Sequence, residues 1–137
     1  MCTRRCATPD RVYEVGTAVQ VRAFHLMPGM EGPEGERHSH DYKLEVVVER
    51  AELDDGGMVC DLDTLEAALL ETAGKVRDTD VEMLRPAGSA ETPTVEVFAR
   101  WVHAAIAESA RRAGGEILSV RVWESPVAFG GFRAGLA

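Results

Sequence analysis

The amino-acid sequence predicts an α+β fold in which a four-stranded antiparallel sheet carries two helices on one face, in the order ββααββ. Three observations lead to this prediction. Apolar residues alternate with polar ones in four segments, which is the period of a half-buried strand. Two other segments repeat their apolar residues every three or four positions, as amphipathic helices do. The strands come in pairs at the two ends of the sequence, with both helices between them.

The first two strands are predicted on either side of a long loop. Within residues 12–25 the alternation places on one side Val19, Val21, Ala23 and His25. The second strand begins at His38, and its even-numbered residues through Val48 share the apolar side. Between the strands, residues 26–37 contain three glycines and two prolines, which exclude a regular ladder.

Both helices show start signals. Asp61 is the expected N-cap of the first helix, and Gly74 marks its expected end. After a polar link over residues 77–91, Thr92 and Pro93 predict an N-cap and a first helical position for the second helix. The two apolar stripes are Leu62, Leu65, Leu69 and Ala73 in the first helix, and Val95, Phe98, Val102 and Ile106 in the second.

The last two strands are predicted after the glycine pair at residues 114–115. In the segment Ile117–Ser125, one face holds Leu118, Val120, Val122 and Glu124. A short final strand is expected at about residues 128–134. With it the sheet is complete, and both helices can cover the same apolar face.

Composition limits the kinds of protein that this chain can be. Its 137 residues are 45% hydrophobic and 28% charged, which suits one globular domain over residues 1–137, with about residues 1–11 expected to be flexible. No apolar run approaches the roughly 18 residues of a spanning helix, so we expect a cytoplasmic protein without membrane contact. The net charge of −8 disfavours nucleic acid as a partner, because phosphate binding needs clustered lysine and arginine.

Three histidines form the clearest candidate site. His38 and His40 project from the same face of one strand, and His25 ends the neighbouring strand on the same apolar side. Three neutral imidazoles leave a fourth tetrahedral position open, as in catalytic zinc sites, so the sequence predicts Zn²⁺ here. The three cysteines are odd in number and lack CxxC spacing, so a thiolate site is not indicated. His103, on the helix face of Glu96 and Arg100, is expected in solvent.

Glu124 is the second candidate, because its carboxylate shares the side of three apolar residues, where an unpaired charge is costly. The amino and ring NH groups of a pterin would form a bidentate, charge-assisted pair with it. An arginine partner, or a place at the wet end of the strand, would explain it equally well.

The order of motifs resembles the 6-pyruvoyl tetrahydropterin synthase and 6-carboxytetrahydropterin synthase family over most of the chain. VRAFH at residues 21–25 resembles F-x-A-x-H, and HSHDY at 38–42 resembles H-G-H-x-Y with Ser39 in place of glycine. GMVCDL at 57–62, PTVEVFA at 93–99 and VWES at 122–125 resemble the family's later motifs. Any one motif is weak, whereas five in order are specific.

The resemblance implies a tunnel fold whose subunits form trimers that pair into hexamers, with the pocket between neighbouring subunits. An exposed Trp123 would suit such an interface. It also implies His25, His38 and His40 as zinc ligands. A dihydropterin would be the substrate, with Glu124 anchoring its ring and Thr94 and Glu96 also at the binding site.

The sequence departs from the family at both proton-transfer groups. The family's catalytic cysteine before the H-x-H pair is absent, and Glu34 occupies the matching place, as in some relatives that release a hydroxymethyl-dihydropterin. In the family's L-D-H-x-x-L segment, Asp80 is kept while Val81 stands in place of histidine. We therefore expect Glu34 and Asp80 as the catalytic candidates and weak or absent activity of the ordinary kind.

Two functional hypotheses follow from these departures. One is a zinc-dependent lyase of altered outcome on a dihydroneopterin-type substrate. The other is a non-catalytic homologue that binds a pterin or a purine-like ligand. A cupin barrel is rejected, because Glu45 has the opposite parity to the histidines and an all-β barrel does not accommodate two helices.

Overall fold

The computed structural model describes residues 10–25, 32 and 36–136. It confirms the predicted order of elements, which are β1 (Tyr13–His25), β2 (His38–Arg50), α1 (Leu62–Val76), α2 (Val95–Arg112), β3 (Ile117–Ser125) and β4 (Ala128–Gly135). The strands form one antiparallel sheet in the order β1-β2-β3-β4. Within the described ranges, no helix has the length and apolarity needed to cross a membrane.

The core lies between the helices and the even-numbered face of β2. Leu44, Val46 and Val48 are fully buried there, and their cross-strand partners on β3 are Val122, Val120 and Leu118. The apolar stripes of both helices cover this face, as the alternation predicted. Burial of one face fixes the register, because a slip by one residue would turn every core side chain towards solvent.

Both helices differ from prediction at one end. The helix α1 continues past Gly74 to Val76, and the amide of its C-cap Arg77 donates to Ala73 O. The helix α2 begins at Val95 with Thr94 as its N-cap, so the predicted cap at Thr92 is wrong. Thr94 has extended backbone angles and its Oγ1 accepts from the amide of Val97 at 3.2 Å, which is the geometry a cap requires.

Part of the predicted link between the helices has structure of its own. Asp80 forms an isolated parallel bridge with Phe24 of β1, and a 3₁₀ turn spans Val81–Leu84. Val81 and Leu84 are buried in the core. Two apolar residues in a polar context gave too weak a signal for this turn to be predicted from periodicity.

Two aromatic residues lie in surroundings that differ from expectation. His103, expected in solvent, is only 7% exposed, because α2 packs on β4 and the ring meets that of Phe132 edge-on at 5.0 Å. Trp123 is half-buried on the sheet face away from the helices, where it stacks on Phe129 and its Nε1–H donates to Glu45.

Candidate active site

The three predicted histidines lie together at one corner of the sheet. His25 at the end of β1 is the cross-strand partner of His38 at the start of β2, and His40 follows on the same side. The ring centroids of His25 and His38 are 5.8 Å apart, and those of His38 and His40 are 4.8 Å apart. The Nε2 atoms of His38 and His40 are separated by 3.0 Å.

The spacing of His38 and His40 is close to that of two ligands of a tetrahedral zinc ion. With Zn–N bonds of about 2.0–2.1 Å, two ligating nitrogens lie about 3.3 Å apart and their ring centroids about 5 Å apart. The described residues nevertheless contain no group of three His, Cys, Asp or Glu side chains already arranged around a common point. His38 and His40 hydrogen-bond to each other through the Nε2 atoms that would face a cation.

Local hydrogen bonds set the tautomers of this pair. His38 Nδ1 lies 2.7 Å from the carbonyl oxygen of Glu36, which can only accept, so Nδ1 carries the proton. In neutral His38 the Nε2 atom is then an acceptor, and His40 Nε2 donates to it. Histidines that bind a metal through one ring nitrogen commonly donate the other ring N–H to a backbone carbonyl, which fixes the tautomer. The lone pair of His38 Nε2 therefore points towards His40, and His40 would have to carry its proton on Nδ1 for both Nε2 atoms to face one cation.

His25 is kept neutral by its surroundings. Only 8% of the residue is exposed, and its Nδ1 finds no hydrogen-bond partner among the described residues. Burial is the largest cause of a lowered pKa, and the charge of Glu82 opposes it, while His38 and His40 lower the pKa further. A neutral imidazole is the form that binds a metal ion.

A cavity opens beside His25. Its volume is about 210 Å³, below the roughly 300–1,000 Å³ of sites for drug-sized ligands, so it suits a small ring system. Aromatic and apolar groups form part of its wall and two carboxylates lie in the rest. The lining residues are His25, Tyr42, Pro93, Thr94, Val95, Glu96, Phe98 and Glu124.

Tyr42 connects the cavity to the histidines and was not singled out by the sequence. Its ring lies 5.5 Å from that of His40 and 5.1 Å from that of Phe98. Burial, followed by the charges of Glu124 and Glu82, raises its pKa well above the ordinary value, so the hydroxyl stays protonated and can donate. The signal that could have identified it is its parity, which it shares with His38 and His40 on β2.

The three predicted ligand-binding residues border the same cavity from two elements. Thr94 and Glu96 lie at the start of α2, and Glu124 lies at the irregular end of β3, where the pairing with β4 shifts. Glu124 is exposed, which is the wet strand end that the sequence left open as an alternative. Two carboxylates beside one apolar wall favour a ligand rich in N–H donors.

The predicted catalytic residues are placed differently. Glu34 lies outside the described residues. Asp80 accepts a 2.6 Å hydrogen bond from Arg37 Nε, and both side chains are about half exposed. Two other carboxylates act by charge on both His25 and Tyr42, namely Glu124 and Glu82, which lies in the 3₁₀ turn. No periodic pattern marks Glu82, because its position depends on how the link folds back on β1.

The fold and the site together define a class: an α+β protein with a small ligand cavity beside a histidine cluster. A sequence model of the 6-pyruvoyl tetrahydropterin synthase family matches residues 14–134. The chain therefore belongs to the 6-pyruvoyl tetrahydropterin synthase family, a family of lyase-type enzymes that bind pterin substrates. No curated protein sequence matches the chain significantly.

Solved structures agree on the fold. The chain resembles 6-pyruvoyl tetrahydropterin synthase from Plasmodium vivax with a TM-score of 0.73 and 12% identity, covering 92% of this chain and 99% of the other. For the Caenorhabditis elegans enzyme the TM-score is 0.64 and the identity 15%, over 90% and 96% of the two chains. Another P. vivax structure carries alanine in place of a glutamate described as a catalytic residue. At such low identity these likenesses establish the tunnel fold alone.

Proposed function

We propose that this protein is a zinc-dependent, pterin-binding member of the family and a lyase that acts on a dihydroneopterin-type substrate with altered catalytic residues. One observation carries the proposal. Three imidazoles have ring centroids 5.8 and 4.8 Å apart, and one of them, His25, lines a small cavity that is also lined by two carboxylates. The histidines would hold the metal, and the carboxylates would bind the ligand.

Ring recognition is assigned to the polar side of the cavity. The 2-amino and ring N–H groups of a pterin form a flat donor edge, to which a carboxylate binds with two parallel hydrogen bonds. Glu124 is the proposed anchor, and Glu96 and Thr94 complete the polar wall. Tyr42 and Phe98 supply aromatic surface for the apolar faces of the bicycle. A purine-like ligand presents a similar donor edge and is the alternative ligand class.

Zinc bound by His25, His38 and His40 would polarise a side-chain oxygen of the substrate. Glu34 is the proposed base, a role supported by the catalytic glutamate named for the P. vivax protein. Asp80 is the second proposed acid–base group, although it must first break its hydrogen bond to Arg37. Because Val81 cannot carry a proton, we expect weak or absent activity of the ordinary family kind.

A non-catalytic binding protein is the second candidate. It is favoured by the ion pair that engages Asp80 and by the buried valine beside it. In either case we expect a cytoplasmic homo-oligomer, a hexamer built from two trimers. The described sheet ends at the outer edge of β4 and at the part of β1 that does not pair with residues 78–80, and these are the edges that another copy would continue.

The test combines metal analysis with ligand identification. Purified protein is incubated with zinc and with candidate dihydropterins and purines, and bound metal, retained ligand and product are quantified by mass spectrometry. We expect zinc and a pterin in the wild type, loss of zinc in His38→Ala, and loss of product alone in Glu34→Gln. Retention of ligand without product in the wild type would favour the binding protein, and absence of zinc would refute the metal site.

A further inference from the structure

The segment that follows α1 lies alongside β1 and is held by its backbone. The amide of Phe24 donates to Thr79 O at 2.8 Å, and the amide of Asp78 donates to Arg22 O at 2.8 Å. A salt bridge of 2.9 Å between Arg22 and Asp78 reinforces this contact. We call residues 78–80 the docked segment. It leads directly into the 3₁₀ turn that carries Glu82.

Arg37 ties the docked segment to the second histidine strand. Its Nε donates to Asp80 Oδ1 at 2.6 Å, while its guanidinium carbon lies 3.9 Å from the centroid of the Phe24 ring. Phe24 immediately precedes His25, and Arg37 immediately precedes His38. One guanidinium therefore links the end of β1, the start of β2 and the docked segment.

The backbone next to Arg37 also orients His38, one of the predicted metal ligands. The residue before it, Glu36, supplies the carbonyl that accepts from His38 Nδ1 at 2.7 Å. A shift of Arg37 would move this carbonyl and with it the His38 ring. Arg37 also contacts the ring of Phe24. The next residue, His25, is the cross-strand partner of His38.

We propose that Arg37 is a positioning residue, which through Asp80 and Phe24 fixes the two strand ends carrying His25 and His38. This inference rests on the proposed metal site and gives Asp80 a supporting role there in addition to its proposed acid–base role. The competing view is an ordinary surface ion pair, since the Arg37 and Asp80 side chains are 54% and 52% exposed and such pairs contribute little. The Arg37–Asp80 pair differs from an ordinary surface ion pair in that Arg37 also stacks on Phe24 and links three segments of the chain.

Three variants separate the two views. Arg37→Met and Asp80→Asn each remove the charge pair with little change of size. Arg111→Met is the matched control, because it removes an ion pair with Glu108 that has the same 2.6 Å length and similar exposure. This pair lies at the end of α2 that is far from the cavity. Zinc affinity is measured by competition with a chromogenic chelator. Hydrogen exchange of the Phe24 amide, followed by NMR, reports docking without any metal.

For Arg37→Met and Asp80→Asn we expect zinc affinity to fall about tenfold or more, the range for partners that orient metal ligands. The Phe24 amide should exchange at least several-fold faster, and the double variant should lose no more affinity than Arg37→Met alone. Arg111→Met should change neither quantity.

If the wild type binds zinc and Arg37→Met matches Arg111→Met in affinity and exchange, the inference is overturned while the proposed function stands. If the wild type binds no zinc, the proposed function fails. Unchanged exchange in Arg37→Met would then refute the docking as well, whereas faster exchange would support it.

Discussion

At the scale of single residues, the site is built from side chains whose protonation is set by their neighbours. His25 stays neutral because it is buried, His38 holds its proton on Nδ1 because a carbonyl accepts it, and Tyr42 keeps its proton because burial and two carboxylates oppose ionisation. Together they give a corner with neutral imidazoles and a hydroxyl that can donate to a ligand.

The raised pKa of Tyr42 predicts a distinctive alkaline titration. Between about pH 9 and 11 the folded wild type and Tyr42→Phe should show the same rise in tyrosinate absorbance, because Tyr42 remains protonated. In the unfolded chain Tyr42 ionises near the ordinary tyrosine pKa of 10.0, so above that pH the folded state binds more protons. Stability should therefore fall as pH rises, and less steeply in Tyr42→Phe. An equal slope in both proteins would contradict the assignment.

Glu124 should dominate recognition of the ligand ring. We expect Glu124→Gln to weaken binding of a dihydropterin by roughly ten- to a hundredfold, because hydrogen bonds to a charged acceptor contribute about 1.5–3 kcal/mol. Isothermal titration calorimetry measures this. Glu71 is an exposed carboxylate on α1, so Glu71→Gln is the matched control and should bind the dihydropterin as the wild type does. Equal affinity of the two variants would place the anchor elsewhere, for example on Glu96.

At the scale of secondary structure elements, close approach of the helices to the sheet decides which substitutions the fold tolerates. A Cβ on Gly130 of β4 would lie 2.6 Å from Val95 Cγ2 and 3.1 Å from Glu96 Oε1. The absence of a side chain at this position lets the first turn of α2 rest directly on β4. The cavity wall formed by Thr94, Val95 and Glu96 depends on that contact.

Two glycines with opposite surroundings give a paired prediction about stability. A Cβ on the buried Gly115 would lie 2.4 Å from Val48 Cγ1 and 3.1 Å from Ala110 O, so Gly115→Ala should destabilise the protein by about 1–3 kcal/mol. Gly74 lies within α1 with open space around it, so Gly74→Ala should stabilise by up to about 1 kcal/mol. Urea denaturation compares the two, and a stable Gly115→Ala protein would show that the α2–β3 junction can move.

At the scale of the whole molecule, the histidine corner joins two strand ends that are separated in the sequence by residues 26–37. A cation held by His25, His38 and His40 would bind the folded state and not the unfolded chain, in which these residues are not brought together. Metal binding would then add directly to the free energy of unfolding.

Zinc should therefore raise thermal stability. At free zinc about 100 times the dissociation constant, the gain should be about 2.7 kcal/mol, visible as a higher Tm by differential scanning fluorimetry. Magnesium, which prefers oxygen ligands, should give no comparable shift, and His38→Ala should abolish the zinc effect. A zinc shift that survives in His38→Ala would indicate binding at another site.

The sequence by itself determined the order ββααββ, the buried faces of the strands, the apolar stripes of the helices, and the grouping of His25, His38 and His40 on one side of two neighbouring strands. These follow from periodicity, because the spacing of apolar residues in a segment indicates which side of that strand or helix is buried. The five motifs, in order, identified the family that the comparison confirms.

Only the tertiary structure decided the contacts between distant segments. Asp80 meets Arg37, which is 43 residues away in the sequence, and Glu82 acts on His25 from a turn that periodicity does not mark. The burial of His103 depends on the packing of α2 against β4. A sequence pattern reports which side of its own element a residue occupies, whereas its partner depends on how the elements are packed together.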